Sequence, residues 1–596
     1  MYRAPVDEIA HTLKRVAGLD EAIAQGSLGE LSVDLVDAIL EEAGKFASDR
    51  IAPLHEIGDR YGTPLKDGAV TMPPGWKETY REWVSGGWNA LTGAEEFGGQ
   101  DLPMMLSVAA MEMWNSGSVA FGLGPMLTMG AVEALDKHAT DALRQAYLPK
   151  LVSGEWMGTM NLTEPQAGSD VGALRARAER ADDGTYRIFG QKIFITYGEH
   201  DFTDNIIHLV LARLPDAPAG TRGISLFLVP KFLVNADGTL GARNDVFCSS
   251  IEHKLGIHGS PTCTMIYGDG FAKDAPVGAI GYLIGEENRG LACMFTMMNN
   301  ARLNVGIQGV AVAEAAFQKA LSFAHERRQG RSPGWSGSEM SPIIEHRDIQ
   351  RTLLTMKGLT QAARAICYAC AHALDMARAA ERDGDTGKAK HWSERANLLT
   401  PVAKAFSTDI GVDVASLGIQ VHGGMGFIEE TGAARFWRDS RIAAIYEGTN
   451  GIQAIDLVQR KLPLSDGQQV AGYIAELREI AGLVAGLNNP DYGATSERLV
   501  SSLADLEEAT LWLQDALIAG RTNDALAGAT PYLRLFGLAA GGAYLAKGAL
   551  ADNDEARVAL NRFFAENLLS GTSSLKDQVL NGAPSLAAGR VALRHP

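Results

Sequence analysis

The chain has 596 residues, of which 46% are hydrophobic and 21% are charged, and its formal net charge is -17. This length predicts several packed units rather than one core, and the composition excludes a largely disordered chain. The negative charge disfavours nucleic acid as a partner, because phosphate backbones repel a polyanion.

The pattern along the chain predicts four regions. Residues 1–155 have helical periodicity, and Ser32 is placed to cap a helix there. The buried face predicted for that helix consists of Leu35, Ile39, Ala43 and Phe46. Residues 156–278 carry β-branched and aromatic runs, such as IFGQKIFIT, IIHLVLARL and ISLFLVP, which predict a β-barrel or sandwich. Residues 279–462 return to long helices, so the predicted fold class is α+β.

Residues 463–596 are predicted to form a helical extension. Pro463 marks the boundary, and Ser465 with Gln468 matches a capping box at the start of a helix. Two apolar stripes then recur with helical spacing. They consist of Val470, Ile474, Leu477, Ala481 and Val484, and of Leu499, Leu503, Leu506, Leu513 and Leu517.

The five cysteines favour a reducing compartment, so we expect a cytoplasmic protein. Cys367 and Cys370 match CxxC, but they lie in an alanine-rich helical run without a second pair. We therefore interpret them as small buried residues rather than metal ligands. The longest apolar run, residues 535–546, is shorter than the ~20 residues that cross a bilayer. The sequence predicts neither a metal site nor stable insertion into a membrane.

Glu447 lies in the string AIYEGTNGIQ, residues 444–453. Apolar neighbours would remove water from its carboxylate and raise the pKa, which makes a stronger base once the group is ionised. Gly448 would let the backbone approach a ligand closely. From residue types alone, a helix cap at the surface is the commoner interpretation.

Other strings contain groups suited to a ligand. In NLTEPQAGSD, Thr163 and Ser169 offer hydrogen bonds from a tight loop. In GQKIFITYG, Phe194 and Thr196 would point to the same side of a strand, which suits a flat heterocycle. Arg327 in HERRQGR could bind a pyrophosphate, and QVHGGMG follows a helix. Each string alone also fits an ordinary turn, strand or helix end, and no GxGxxG lies between a strand and a helix.

Taken together and in this order, the strings resemble the acyl-CoA dehydrogenase family. The resemblance covers roughly residues 85–462 and includes GGWNALTGAEEFGGQDLP, TEPQAGSD, GQKIFIT, KLGIHGSPT, ERRQGR, QVHGGMG and YEGTN. It implies an N-terminal helical domain at 1–155, a middle β-domain at 156–278 and a C-terminal four-helix domain at 279–462. The extension at 463–596 follows. The resemblance also implies FAD as the cofactor, bound partly by a neighbouring subunit.

The resemblance implies a role for each matched residue. Glu447 would be the base that takes the α-proton of a CoA thioester while a hydride leaves the β-carbon for the flavin. Thr196 would lie near the flavin N5, and Arg327 would reach the pyrophosphate of a flavin in a partner subunit. The other residues expected to bind FAD are Met160, Leu162, Thr163, Ser169, Phe194, Ile195, Gln420, Gly423, Gly424 and Thr449. Those expected to bind the substrate are Ser169, Asn299, Arg302 and Gly448.

The implied product is a trans-2-enoyl-CoA, and reduced FAD would pass its electrons to an electron-transferring flavoprotein. The acyl group would be short, of medium length, or would contain a thioether. The extension is similar to that of large bacterial members of the family, which implies a homodimer.

Three alternatives share part of this pattern. An acyl-CoA oxidase would use the same base and FAD but reduce oxygen. Some relatives with C-terminal extensions are DNA-binding flavoproteins of the alkylation response, which the charge of -17 and the lack of a basic cluster in residues 463–596 disfavour. A nitroalkane oxidase is disfavoured because Glu447, rather than an aspartate, fills the position of the base.

Overall fold

The computed structural model describes residues 2–272 and 277–594, apart from the side chains of 297 and 299. Its α-helices are α1 Val6–His11, α2 Leu19–Ala24, α3 Val33–Phe46, α4 Ala52–Tyr61, α5 Trp76–Ser85, α6 Met104–Gly117, α7 Val119–His138, α8 Asp141–Ser153, α9 Gly290–Glu326, α10 Arg347–Arg382, α11 Thr386–His422, α12 Ala433–Ser440, α13 Asn450–Asp456, α14 Gln468–Gly486, α15 Thr495–Ile518, α16 Thr522–Ala527, α17 Ala529–Asp552, α18 Glu555–Asn567 and α19 Thr572–Gly589. Its strands are β1 Leu65–Lys66, β2 Ala69–Val70, β3 Met157–Asn161, β4 Arg177–Arg180, β5 Tyr186–Thr196, β6 Ile206–Arg213, β7 Ile224–Pro230, β8 Phe232–Val234, β9 Leu240–Arg243, β10 Val246–Ile251, β11 Thr262–Tyr267 and β12 Ala279–Ile284. The order of helical and strand regions confirms the α+β class.

The chain divides into two compact units. The first unit consists of Met1–Lys45, Met104–Ser116 and Arg302–Pro596, and the second of Phe46–Pro103 and Gly117–Ala301. The boundaries at residues 155, 278 and 462 remain predictions about the domains. The first unit holds Glu447 and the C-terminal extension, whereas the second holds the sheet.

The main sheet of the second unit is the β-rich region predicted from the sequence. Its strands follow the order β10-β11-β5-β12-β7-β6-β3, and β4 pairs with both β5 and β6. Strand pairs are antiparallel except where β3 and β4 meet β6. All residues of β7, and all of β6 except the last, are buried, which explains why both strands are continuous apolar runs.

Long helices and the extension build the first unit. Helices α10 and α11 contain 36 and 37 residues. The extension forms α14 to α19, and every residue of its two predicted stripes is buried apart from Leu517, which is half-buried. The helical extension predicted from the apolar spacing is therefore confirmed, and it packs as part of the unit that carries Glu447.

The prediction for helix α3 is right about its start and only partly right about the face that packs. The Ser32 hydroxyl accepts a hydrogen bond from the backbone N–H of Leu35 at 3.2 Å, as a cap does. Of the predicted face, Ala43 is buried, Ile39 and Phe46 are half-buried, and Leu35 is exposed. The other buried residues of the helix are Val36, Leu40 and Gly44. Both sets of residues have helical spacing, so periodicity alone does not decide which face packs.

The predicted capping box at the start of the extension is wrong. Ser465 and Asp466 have left-handed φ values of 46° and 55°, and helix α14 begins only at Gln468. The Ser465 hydroxyl donates to Glu394 Oε2 at 2.6 Å instead of capping the helix. The reversal of the chain before Gly467 places the serine away from the first turn of the helix.

Cys367 and Cys370 are buried in α10, as predicted for small residues of a helix core. The Cys367 thiol lies 3.3 Å from the Ser407 hydroxyl, and the Cys370 thiol lies 3.6 Å from the Thr400 hydroxyl, both in α11. Burial raises the pKa of both thiols, that of Cys370 to about 12, so neither is a ready nucleophile. Among helices of residues 2–272 and 277–594, none combines the length and apolar composition needed to cross a membrane.

Candidate active site

Glu447 lies in a tight turn of the first unit, directly before helix α13. Its φ is 54° and that of Gly448 is 86°, so two consecutive residues adopt left-handed conformations. This region costs a non-glycine residue about 1–2 kcal/mol. Thr449 ends the turn and caps α13, since its hydroxyl accepts from the N–H of Ile452 at 3.3 Å. A left-handed glutamate is uncommon, and such strain is concentrated at functional sites.

The backbone of this turn is held by side chains from two helices. Gln453 Nε2, in α13, donates to the carbonyl oxygens of Glu447 and Gly448 at 3.2 and 3.4 Å. Lys404 Nζ, in α11, donates to the same Gly448 oxygen at 2.9 Å and to Asn450 Oδ1 at 2.8 Å. The conformation of Glu447 is therefore fixed by contacts on both sides of the turn.

The carboxyl of Glu447 is perturbed in the direction that a general base requires. Burial raises its pKa above the ordinary value, and the charges of Arg302 and Lys404 partly counteract that rise. A carboxylate with a raised pKa accepts a proton more readily than an exposed one. The raised pKa has the direction expected from the sequence, although the apolar neighbour Ile445 is exposed and does not cover the carboxyl.

Arg302 is the second charged group near Glu447, and it is almost fully buried in α9. Its Nη1 donates to Asp456 Oδ2 at 3.3 Å, while burial lowers the pKa of the guanidinium. Among the described residues, no hydrogen-bond partner is present for Arg302 Nε or for Gln453 Oε1. These two buried polar atoms suit a ligand that brings its own donors and acceptors to this turn.

In the second unit, the predicted cofactor residues follow β3 and the end of β5. Met160, Leu162 and Thr163 are half-buried, and the Thr163 carbonyl accepts from the N–H of Ile193 at 2.9 Å. The exposed Ser169 lies farther along the same loop. These residues form a mixed apolar and hydroxyl surface at one end of the sheet.

A buried ion pair fixes the loop that begins at Thr163. Lys192 Nζ lies 2.8 Å from Glu164 Oε1 and donates to the Leu162 carbonyl at 3.0 Å. Glu164 also accepts from the N–H groups of Arg175 and Ala176 at 2.6 and 3.0 Å. Burial lowers the pKa of Lys192 to about 8, although Glu164 acts against that change. The loop is therefore held independently of any ligand.

Phe194 and Thr196 end strand β5 in an irregular conformation. Phe194 has a φ of 61° and is 57% exposed, while the strand register shifts between Ile195 and Lys192. Thr196 is half-buried, and its carbonyl accepts from the Thr159 hydroxyl at 2.7 Å. Ile195 is buried in the core, so only its backbone is available to a ligand. An exposed aromatic and a half-buried hydroxyl at the end of one strand fit a flat heterocycle.

The remaining predicted cofactor residues lie in the first unit. Arg327 is exposed at the end of α9 and donates to Gln329 Oε1 at 3.3 Å. Gln420, Gly423 and Gly424 are exposed where α11 ends. A Cβ on either glycine would meet nothing within 4 Å, so the backbone there is open to a partner or ligand. The side chain of the predicted substrate residue Asn299 lies outside the described residues.

The site also contains Lys404, Gln453 and Asp456, which no sequence motif predicts. The signal for Lys404 is a single cation within the apolar run LLTPVAKAFS, a composition in which a charge is costly unless it has partners. Gln453 and Asp456 follow Glu447 at six and nine positions, within the helix that the turn starts. Their contacts depend on the left-handed turn, which residue types do not reveal.

Family models match four consecutive parts of the chain. They are described as the acyl-CoA dehydrogenase N-terminal domain at residues 35–155, middle domain at 159–269 and C-terminal domain at 288–462, and as an acetyl-CoA dehydrogenase C-terminal-like domain at 473–589.

Individual relatives extend the similarity over nearly the whole chain. A 3-methylmercaptopropionyl-CoA dehydrogenase of Ruegeria pomeroyi is 45% identical, over 98% of this chain and 99% of that protein. A butyryl-CoA dehydrogenase of Syntrophomonas wolfei is 37% identical, over 77% of this chain and 75% of that protein. The crystal structure of ACDH-11 of Caenorhabditis elegans in complex with C11-CoA has a TM-score of 0.78 at 19% identity, covering 100% of this chain and 96% of that one, which shows the same fold.

Proposed function

Because the chain belongs to the acyl-CoA dehydrogenase family, we propose that it oxidises an acyl-CoA thioester to the trans-2-enoyl-CoA with Glu447 as the catalytic base. The observation that carries this proposal is the strained, desolvated position of Glu447 in a turn clamped by Lys404 and Gln453. An enzyme holds a carboxylate in this way when the carboxylate must accept a proton in a fixed direction.

The proton that Glu447 takes is the one on the α-carbon of the thioester. Its removal develops negative charge on the thioester oxygen, which requires hydrogen-bond donors. The backbone N–H of Glu447 is the proposed donor from this chain, and Arg302 and Gly448 are proposed to contact the substrate. Because burial has raised the pKa of Glu447, the carboxylate matches the weakly acidic α-proton better than an exposed glutamate would.

The cofactor is FAD, which supplies the acceptor for the β-hydride when it is bound. The chain's residues fit this group, because Phe194 is exposed two positions before the half-buried Thr196 and the glycines after α11 leave their backbone open. The residues proposed to hold it are Met160, Leu162, Thr163, Ser169, Phe194, Ile195, Thr196, Arg327, Gln420, Gly423, Gly424 and Thr449. Arg327 is proposed to act on the cofactor of a second subunit in a homodimer. We propose an electron-transferring flavoprotein as the acceptor of the electrons.

The substrate is proposed to be a short acyl-CoA, including one with a thioether chain. Support comes from the relatives, whose names specify a 3-methylmercaptopropionyl and a butyryl group. These two acyl chains differ by a single chain atom, so a pocket of one depth accommodates both, and a difference of that size changes binding by about 1–3 kcal/mol.

The test compares the purified flavoprotein with its Glu447→Gln variant under anaerobic conditions. The unchanged enzyme is expected to lose its yellow colour when a short acyl-CoA is added, whereas the variant should keep its flavin and remain yellow. Bleaching of the variant at the normal rate would refute Glu447 as the base. A panel of butyryl-, octanoyl- and 3-(methylthio)propanoyl-CoA identifies the acyl group, and hydrogen peroxide production in air would indicate an oxidase instead.

A further inference from the structure

Lys404 is a buried cation inside the helix core of the first unit. It lies in the middle of α11, in the run TPVAKAFS, and none of its side chain is exposed. Moving an ammonium group out of water is unfavourable unless the group gains partners. Its hydrogen bonds go to the Gly448 carbonyl at 2.9 Å and to Asn450 Oδ1 at 2.8 Å. Lys404 therefore uses its donors on the turn that carries Glu447.

Helix α11 holds both ends of this turn. Asn450 Nδ2 donates to Asp409 Oδ1 at 2.7 Å and to the Thr408 hydroxyl at 3.0 Å, and both of these residues belong to α11. Lys404, one turn earlier on α11, binds the Gly448 carbonyl. A left-handed glutamate persists only when surrounding contacts determine its conformation, and these contacts do so.

The two cations near Glu447 differ in how far a direct partner neutralises their charge. Arg302 approaches from α9, but its charge is paired with Asp456 of α13. Lys404 approaches from α11, and both of its described hydrogen bonds go to uncharged oxygens. Asp409 also acts on Lys404 electrostatically, and its own carboxylate accepts from Asn450. The charge of Lys404 is consequently less neutralised by a direct partner than that of Arg302.

We propose that Lys404 is a positioning residue for Glu447: its ammonium group fixes the left-handed turn at Glu447 and Gly448, and its positive charge favours the carboxylate form of the base. This inference rests on the proposed function, since it concerns the residue that removes the proton. Lys404 touches the turn and not the reacting atoms.

The protonation of the two groups is linked in a defined direction. Burial lowers the pKa of Lys404 to about 7, while Glu447 and Asp409 act against that change. Burial raises the pKa of Glu447, while Arg302 and Lys404 act against it. Lys404 carries its charge mainly below about pH 7. In that range, removing the charge leaves Glu447 with a still higher pKa, so a larger fraction of the base is protonated.

The experiment measures the rate of flavin reduction by a short acyl-CoA, in stopped flow, from pH 6 to pH 9. Lys404→Met keeps the length and removes the charge, Lys404→Gln keeps an amide donor without charge, and Lys404→Arg keeps the charge. Lys547→Met is the matched control, because Lys547 is half-buried and, like Lys404, has a lowered pKa and donates to a backbone carbonyl, that of Val16 at 2.7 Å.

For the Met and Gln variants, the rising limb of the pH profile is expected to move to higher pH by about one unit, the size that a nearby opposite charge produces. At pH values below the midpoint of that limb, a shift of one unit lowers the rate about tenfold, whereas the rate on the plateau stays the same. Lys404→Arg should restore the profile, and Lys547→Met should leave it unchanged. Flavin content and Tm, measured for every variant, separate these effects from unfolding.

A loss of rate by one constant factor at all pH values would overturn the electrostatic role, because a purely structural residue acts in that way. Recovery of the profile in the Gln variant would overturn it too, since only the hydrogen bond would then matter. Glu447→Gln is measured in parallel. Normal turnover of that variant would refute the proposed function itself, whereas its inactivity together with an unchanged profile in Lys404→Met would refute only the role of Lys404.

Discussion

Substituting Gly448 by alanine tests whether the left-handed turn is required for proton removal. The φ of Gly448 is 86°, and an added Cβ would lie 2.7 Å from Gln453 Nε2, which donates to the carbonyls of Glu447 and Gly448. The backbone conformation would cost about 1–2 kcal/mol, and displacing the amide would lose two hydrogen bonds of about 0.5–1.5 kcal/mol each. We expect a total cost of about 3 kcal/mol in this turn.

If the distorted turn moves Glu447 away from the α-proton, the same cost is added to the activation free energy of proton removal. About 3 kcal/mol in the activation free energy lowers the rate of flavin reduction by about 100-fold. Stopped-flow bleaching with a saturating short acyl-CoA measures this rate. Gly451→Ala is the matched control, because it lies three residues farther on in α13 and its Cβ would only approach Thr449 Oγ1 to 3.9 Å. Equal rates in the two alanine variants would refute the reasoning.

Two further predictions concern stability in each unit. Leu513→Ala in α15 should lower the free energy of unfolding by about 2–5 kcal/mol, because Leu513 is fully buried. Leu511→Ala, at an exposed position of the same helix, should leave Tm nearly unchanged. Similar shifts in Tm for the two variants would contradict the packing of the extension. His258 Nδ1 lies 2.9 Å from Asp59 Oδ1, and this hydrogen bond raises the pKa of His258. A pKa that is raised in the folded state stabilises the protein fully below the unfolded pKa of ~6.5, and this stabilisation is lost as the pH rises through the folded pKa. The Tm difference between the unchanged protein and His258→Gln should therefore be largest near pH 6 and should shrink by pH 8. A difference independent of pH would exclude this ion pair as its source.

Periodicity predicted the large elements of this fold because many residues contribute to each signal. The extension is one example, since its two stripes are buried almost completely. The same reasoning was only partly right for α3, where Ala43 is buried as predicted but packing selected Val36 and Leu40 over Leu35. It failed at Ser465, because a capping pattern does not reveal two left-handed residues before the helix.

The sequence predicted only part of the candidate site, because it reveals local strings of residues and not contacts between distant ones. Glu447 and Phe194 were selected from ordered strings of residues, and both are found with unusual backbone conformations. Lys404 was not selected, because its contact with Gly448 spans 44 positions of the sequence and depends on the rotation of α11. Such a contact between a single side chain and a backbone carbonyl leaves no periodic pattern.

Left-handed backbone at bulky residues gives an independent argument for where this protein works. Most described non-glycine residues with this conformation are Asp, Asn or Ser, which tolerate it in turns. Phe194, Tyr197, Ile257 and Glu447 do not belong to that class. Of these, Glu447 and Phe194 are the predicted site residues, and each lies beside a group fixed by buried hydrogen bonds. Strain of this kind is retained where a side chain must point in one direction. Substitutions that relax the turn at Glu447 should therefore impair proton removal before they affect the stability of the surrounding helices.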